Sequence, residues 1–242
     1  MIKKELRNWK KDKMHLKTLS TPASWPIERK KTVWITKPLS PHPIEFCLPI
    51  NIILRDILKI TRNTRETKKL LINSEIMVDN RRVKNYRYGV GLFDRLFFKE
   101  TGECYTIIIT KRKKLKVIKL DTEKFVKPLK IKRKVVIKKG KIQLTFHDGR
   151  TMIADNSLKV HDSILLDLEK KKILRHLPLT KGAIVYIIKG KYTGCIGTFE
   201  ERMIKNKRFG IVKIDDKKVE IPLSSIFVID EKNKEIIEKN LE

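Results

Sequence analysis

Lys181-Gly182-Ala183-Ile184-Val185-Tyr186-Ile187-Ile188-Lys189-Gly190-Lys191-Tyr192-Thr193-Gly194-Cys195-Ile196-Gly197 is the stretch that decides how the C-terminal part of this chain folds. Residues 183–188 form an apolar run of strand length, with Val185 and Ile187 on one face because side chains alternate along a strand. The glycines after it allow tight bends and a close approach of backbone to a partner. Four further β-rich runs follow, at 195–200, 209–214, 218–222 and 226–229. Five of the ten glycines fall in residues 176–230. Short strands spaced by roughly 10–15 residues between turn signals predict a small barrel.

Upstream, residues 111–175 alternate basic and apolar positions. Between Lys111 and Lys141 there are 15 Lys or Arg and two acids. Residues 130–137 predict a strand with one charged face, carrying Lys132, Arg133 and Lys134, and a turn at 138–141 leads to a partner strand at 142–146. Residues 163–168 predict another strand.

Residues 44–110 read differently. Leu48, Ile52, Ile53, Ile57, Leu58 and Ile60 recur at helical spacing. A second short helix starts at Asn63 or Thr64 as N-cap, with Glu66 in its first turn and apolar positions at Leu70, Leu71 and Ile72. Ile76-Met77-Val78 predicts a strand and Asp79-Asn80 a tight turn, because both residues tolerate the left-handed conformation. The unit closes through residues 91–97 and a strand at 105–109 after the Thr101-Gly102-Glu103 turn.

Residues 1–43 carry eleven Lys or Arg against three acids, and all three tryptophans, Trp9, Trp25 and Trp34. Pro22, Pro26, Pro38, Pro41 and Pro43 forbid a long helix after residue 21. An extended basic arm that wraps a partner is expected, since disordered tails are poor in aromatics. Its cations include Lys10, Lys11, Lys13 and Lys17. Residues 231–242 are expected to be a charged tail, helical or frayed.

The whole chain of 242 residues carries 57 Lys or Arg against 28 Asp or Glu, a net charge of +29. Such a charge repels itself unless a polyanion neutralises it; nucleic acid is the obvious polyanion and anionic membrane its competitor. No run of about 18 apolar residues is present to span a bilayer. Residues 1–13 are charged throughout, unlike a signal peptide. Cys47, Cys104 and Cys195 are too far apart for a disulfide framework and suit a reducing compartment, and no Cys-x-x-Cys occurs for a zinc ribbon.

His147-Asp148 and His161-Asp162 invite a catalytic reading, but neighbours on a strand point to opposite faces. Asp148-Gly149 is also a hairpin-turn dipeptide. No phosphate loop or serine elbow is present, and His15, His42 and His176 have no partners at metal spacing. No enzyme activity, cofactor, metal or small-molecule substrate is expected.

The 181–197 stretch resembles the KOW motif of ribosomal and transcription-elongation proteins, with Gly182, Val185, Gly190, Gly194 and Gly197 at its motif positions; Ala183 stands where the motif usually has an acid. Residues 44–110 resemble the alpha-L RNA-binding domain of ribosomal proteins, pseudouridine synthases and some tRNA synthetases. That likeness implies a basic surface of Arg62, Arg65, Lys68 and Lys69 with Arg81, Arg82 and Lys84 beside it, able to hold several phosphates. The order of segments resembles the e-type family of small-subunit ribosomal protein four, found in archaea and eukaryotes. Local matches are His15-Leu16-Lys17-x-Leu19, Pro22-x-x-Trp25, Cys47-Leu48-Pro49-Ile50, the residues from Leu144 through Arg150 to Thr151, Lys159-Val160-x-Asp162-Ser163, Asp167-Leu168-Glu169 and residues 223–229. Departures are the proline segment 37–43, Phe46 before Cys47, and a short tail.

The resemblance implies an α+β, multidomain chain. Its parts would be a basic N-terminal arm (1–43), an alpha-L RNA-binding domain (44–110), a central β-rich basic domain (111–175) with Arg150 among its RNA contacts, a C-terminal SH3-like KOW β-barrel (176–230) and a charged tail (231–242). It implies a structural constituent of the small ribosomal subunit, supporting subunit assembly and translation. Its partners would be small-subunit ribosomal RNA and neighbouring ribosomal proteins, with a monomer in each cytoplasmic ribosome. An RNA-modifying enzyme would need a large second domain with a catalytic Asp, for which the remaining segments are too small and too basic. A KOW-type transcription factor would need an acidic or apolar docking face, which the charge disfavours.

Overall fold

The computed structural model describes residues 15–120, 126–137, 140–154, 156–204, 208–215 and 217–240. Lys10, Lys11, Lys13 and Trp9 lie outside them. The architecture is rich in antiparallel sheet and has few helices.

Residues 15–46 hold little regular structure but are not a free arm. β1 (Leu16–Lys17) and β2 (Trp34–Ile35) form a short antiparallel ribbon. Between them Trp25 is fully buried, and its Nε1 donates to the Ile44 carbonyl at 3.0 Å. The Ser24 carbonyl accepts from the Leu115 amide at 2.7 Å. The described part of the expected extended arm is therefore packed on the body, because burying an indole and satisfying its N–H outweighs solvating it.

The apolar spacing from Leu48 to Ile60 predicts one helix, and the structure divides it. Leu48 lies in β3 (Cys47–Pro49), since a residue before proline is pushed out of the helical region. A single turn, α1 (Ile50–Ile52), runs into a π-helical segment, Ile53–Ile57. Lys59, at φ +54°, ends it, and Ile60 is exposed. α2 (Thr64–Asn73) follows its capping signal: Asn63 Oδ1 accepts from the Glu66 amide at 2.9 Å, while Glu66 Oε2 accepts from the Arg62 amide at 2.7 Å. Leu71 is buried and Leu70 half-buried, whereas Ile72 faces solvent.

The first large sheet holds β4 (Ile76–Val78), β5 (Arg81–Arg82), β7 (Arg95–Phe98), β8 (Glu103–Ile109) and β9 (Leu115–Leu120) in the order β5-β4-β7-β8-β9, while β6 (Gly89–Gly91) pairs with β3. Asp79 and Asn80 both have positive φ, as the tight turn requires. A boundary was expected after residue 110. Instead β9 folds back on β8 through a hairpin in which the Thr110 amide donates to the Lys114 carbonyl at 2.8 Å, so residues 115–120 belong to the preceding sheet.

The second sheet, β12-β11-β10-β13-β14, comprises β10 (Val126–Val136), β11 (Ile142–Phe146), β12 (Thr151–Ala154), β13 (Ser163–Asp167) and β14 (Ile173–Leu177). β10 starts earlier than its charge pattern suggests. Its first half pairs with β13 and its second with β11, across a bulge between Ile131 and Arg133.

The third sheet, β18-β17-β16-β15-β19, comprises β15 (Ile184–Ile187), β16 (Ile196–Ile204), β17 (Arg208–Ile214), β18 (Lys217–Pro222) and β19 (Ile226–Val228). Its edge strands are joined only by a 3-10 turn, Leu223–Ser225. Flat edges would stand about 19 Å apart, beyond the roughly 14 Å that four peptide steps can span. The sheet therefore curls on itself.

One core cluster joins Trp25, α1, α2 and the first sheet to Tyr186, Phe227 and Ile229 of the third. It also takes in Ile237 of α3 (Glu231–Glu238), so the expected tail is, over its described part, a docked helix.

Candidate nucleic-acid interface

At 100° per residue, Arg65, Lys68 and Lys69 fall within an arc of about 100° on α2, opposite the buried Thr67 and Leu71. Arg62 stands just before the cap. All four are exposed. The 81–87 segment lies alongside: Arg82 Nη2 donates to the Ile72 carbonyl at 3.0 Å, and Lys68 Nζ sits 4.5 Å from the Tyr86 ring centroid. Arg81, Arg82 and Lys84 are exposed too. Among the described residues, Arg62, Arg65, Lys69, Arg81 and Lys84 pair with no acidic side chain. Local capping and the turn at Asp79-Asn80 thus bring seven of the sequence-derived cations to one region.

The other cations divide. Lys17 is exposed on β1, opposite Trp34, with Nζ 6.0 Å from the indole centroid. Lys132 and Arg133 are exposed on β10 beside its bulge. Lys134 is half-buried and turned onto its own chain, donating to the Asn156 and Leu158 carbonyls at 2.7 and 2.9 Å. Arg150 is a correction. Its Nη2 contacts Asp79 Oδ2 at 2.5 Å and its Nε contacts Asp148 Oδ2 at 3.1 Å, so its charge is matched within the fold.

The group that Arg150 joins escaped the sequence reading. Lys127 is fully buried, with Nζ 2.7 Å from Asp79 Oδ2 and 3.1 Å from Asp148 Oδ2, and it also bonds Asp94 Oδ1. His42 Nε2 lies 3.2 Å from Asp94 Oδ2. Burial opposes the charge on Lys127, but the three aspartates hold its ammonium above its ordinary range. Against the same cost of burial, Lys127 and His42 hold Asp94 far below the usual carboxylate range, and Lys127 holds Asp148 down. Asp79 and Asp94 stand in turns of the first sheet, while Lys127 and Asp148 come from the second. The cluster is an ionic rivet between them. Only the turn chemistry of Asp79 and Asp148 was visible in the sequence.

Lys130 is a second inward lysine, and burial pushes its ammonium down to about 7. Its Nζ donates to the Leu223, Ser224 and Ile226 carbonyls, tying the second sheet to the turn that closes the third.

Two glycines of the 181–197 stretch lie close against the chain itself. Gly194 has φ +84°, and a Cβ there would lie 2.5 Å from the Thr110 carbonyl. Its close approach is therefore to the β8–β9 hairpin. Gly197 is similarly closed, with the Lys213 carbonyl 2.5 Å from a would-be Cβ. Gly182 and Gly190 make open turns at positive φ, and Val185 is buried. Beside this loop, Tyr186 Oη accepts from the Ile109 amide at 3.0 Å and donates to the Ile109 carbonyl. Phe93 meets Phe227 at a tilt and Phe227 meets His147 edge-to-face, at 5.0 and 5.1 Å between centroids.

The His-Asp pairs serve packing. Burial pushes His147 down to about 3, so it is neutral; its Nδ1 accepts from the Lys130 amide at 3.3 Å. Asp162 accepts from the Leu179 amide at 3.1 Å and faces His176 Nε2 at 2.9 Å. Burial pushes the Cys47 thiol up to about 12, which removes its nucleophilicity near neutral pH.

Residues 101–173 match the Ribosomal family S4e, and residues 12–45 match the RS4NT (NUC023) domain. Small ribosomal subunit protein eS4 of Nanoarchaeum equitans is 44% identical over 192 residues, covering 78% of this chain and 82% of that protein. The eS4 protein of Staphylothermus marinus is 38% identical over 233 residues, covering 90% and 92%. The crystal structure of 30S ribosomal protein S4e from Thermoplasma acidophilum superposes with a TM-score of 0.65 at 28% identity, covering 78% of this chain and 96% of that one.

Proposed function

The chain belongs to the eS4 family of small ribosomal subunit proteins, and from that premise we propose that it anchors small-subunit ribosomal RNA by neutralising phosphates along α2 and the 81–87 segment. Its role is that of a structural constituent of the ribosome, and it is not an enzyme. The observation that carries the RNA reading is the set of exposed cations there that have no acidic partner among the described residues. A side chain already paired with a carboxylate gains little from a phosphate. An unpaired one releases condensed counterions when it binds. Lys17, Lys132 and Arg133 extend the contact across neighbouring RNA segments. Arg150 and Lys134, held by the protein, position structure instead.

On this reading residues 44–120, with β9 included, act as an alpha-L RNA-binding domain, residues 126–177 as a central basic domain, and residues 178–230 as a KOW barrel. The curl of the third sheet and the glycine spacing support the barrel. The protein works as a single copy in cytoplasmic ribosomes, beside other ribosomal proteins.

Sedimentation of a cell lysate on sucrose gradients, in moderate and high salt, tests the role. The chain should travel with small subunits and resist a salt wash. Recovery at the top of the gradient in moderate salt would overturn it. With purified protein and small-subunit ribosomal RNA, affinity should fall steeply with salt, and Arg65→Gln with Lys69→Gln should lower the log–log slope by roughly 1.5.

A further inference from the structure

We propose that the groove between β2 and the 81–87 segment is a binding site for an unstacked RNA nucleobase, with Trp34 as its stacking surface. The inference rests on the RNA-binding reading and adds a base contact to it. In the β1–β2 ribbon, Leu16 faces Ile35 and Lys17 faces Trp34 across the pair. Leu16 and Ile35 pack against the core, so alternation turns Lys17 and Trp34 outward. Trp34 is left 57% exposed, whereas Trp25 is completely buried. The fold thus holds one indole in the core and another in solvent, against the usual tendency of large aromatics to be covered.

The indole borders a groove of about 310 Å³ lined by His15, Lys37, Arg55, Tyr86 and Arg87 among others. His15 meets Trp34 edge-on at 5.6 Å between centroids, which holds the ring's orientation. Arg87 Nε donates to the Lys37 carbonyl at 3.2 Å, fixing its guanidinium against the segment just after β2. Arg55 pairs with Asp56 at 2.8 Å; no carboxylate lines the groove itself among the described residues. Tyr86, on the far wall, carries Lys68 of the α2 basic face over its ring. Aromatic faces with cations around them, continuous with a phosphate-binding helix, match a nucleotide whose base stacks while its backbone runs along α2. An apolar protein partner would gain nothing from the cationic rim.

The test uses the full chain, fluorescence anisotropy, and two probes: a short single-stranded oligouridylate and an abasic ribose-phosphate strand of equal length. Trp34→Leu should weaken oligouridylate binding by about 5- to 150-fold, the range for loss of one stacked base, and leave abasic binding unchanged. Trp34→Tyr should retain most of the affinity. The inference is overturned if Trp34→Leu binds oligouridylate as the wild type does, if both probes weaken equally, or if Trp34→Tyr falls as far as Trp34→Leu. It is overturned equally if RNA affinity is kept while the variant no longer sediments with small subunits, since a protein would then occupy the groove. A wild-type chain that ignores both probes and small-subunit RNA would instead sink the RNA-binding reading beneath it.

Discussion

Replacing Lys127 with methionine should be among the most damaging single changes in this chain. The side chain has no solvent exposure and bonds three aspartates, two of which also meet Arg150. Methionine matches its length but leaves three buried carboxylates facing one guanidinium and His42. Removing one partner of a buried ionic group costs about 3–5 kcal/mol, because the remaining charge stays desolvated. At about 2–4 °C per kcal/mol for a chain of this size, the thermal midpoint should fall by roughly 6–20 °C at pH 7, read by circular dichroism. The pH dependence gives a sharper check. In the wild type, Asp94 and Asp148 have depressed folded-state values. Their stabilisation is present above the unfolded carboxylate value of 3.8 and is lost as pH falls through the folded values. Without Lys127 those carboxylates should rise above their unfolded values, so acid down to pH 4 should relieve the variant while the wild type, whose stabilisation is lost only below 3.8, changes little. The gap between the two should be widest at pH 7 and shrink toward pH 4. Adding Asp148→Leu to Lys127→Met should recover part of the loss by removing one stranded anion. A variant as stable as the wild type at pH 7, or a gap that does not change with pH, would refute the ionic-rivet reasoning.

Other substitutions probe the docking between sheets. Gly194→Ala places a Cβ 2.5 Å from the Thr110 carbonyl at φ +84° and should cost several kcal/mol by thermal melting, whereas Gly102→Ala, with φ +68° and open space, should cost about 1 kcal/mol. Tyr186→Phe strips the Ile109 amide of its acceptor and should cost about 1–3 kcal/mol, with faster hydrogen exchange at Ile109 as the direct readout. Trp25→Ala should lose about 3–5 kcal/mol by denaturant unfolding and loosen residues 15–46 to proteolysis, since the indole is their buried anchor.

Much of the local structure could be read from residue order because its causes are local. Asn63 and Glu66 mark the start of α2 by side chains that reach only three or four residues. Asp79-Asn80 makes its turn by its own backbone preference, and the five strands after residue 183 are legible because short apolar runs are separated by glycine or polar turn residues. The exposed cations of α2 follow from helical periodicity once its buried side is known. What the sequence could not decide was which basic residues face solvent and which face protein. Lys127, Lys130, Lys132 and Arg133 belong to one strand of similar composition, yet the first two are buried and the others exposed. Their fate is set by partners far along the chain: the aspartates that hold Lys127 lie 48, 33 and 21 residues away. The docking of α3, the return of β9 to the first sheet and the burial of Trp25 were hidden for the same reason. Composition determined that this chain carries a large excess of positive charge, because total charge does not depend on folding. Which of those charges stay exposed was decided only when the sheets packed, since burial forces an ammonium to find carboxylates or carbonyls within its own protein.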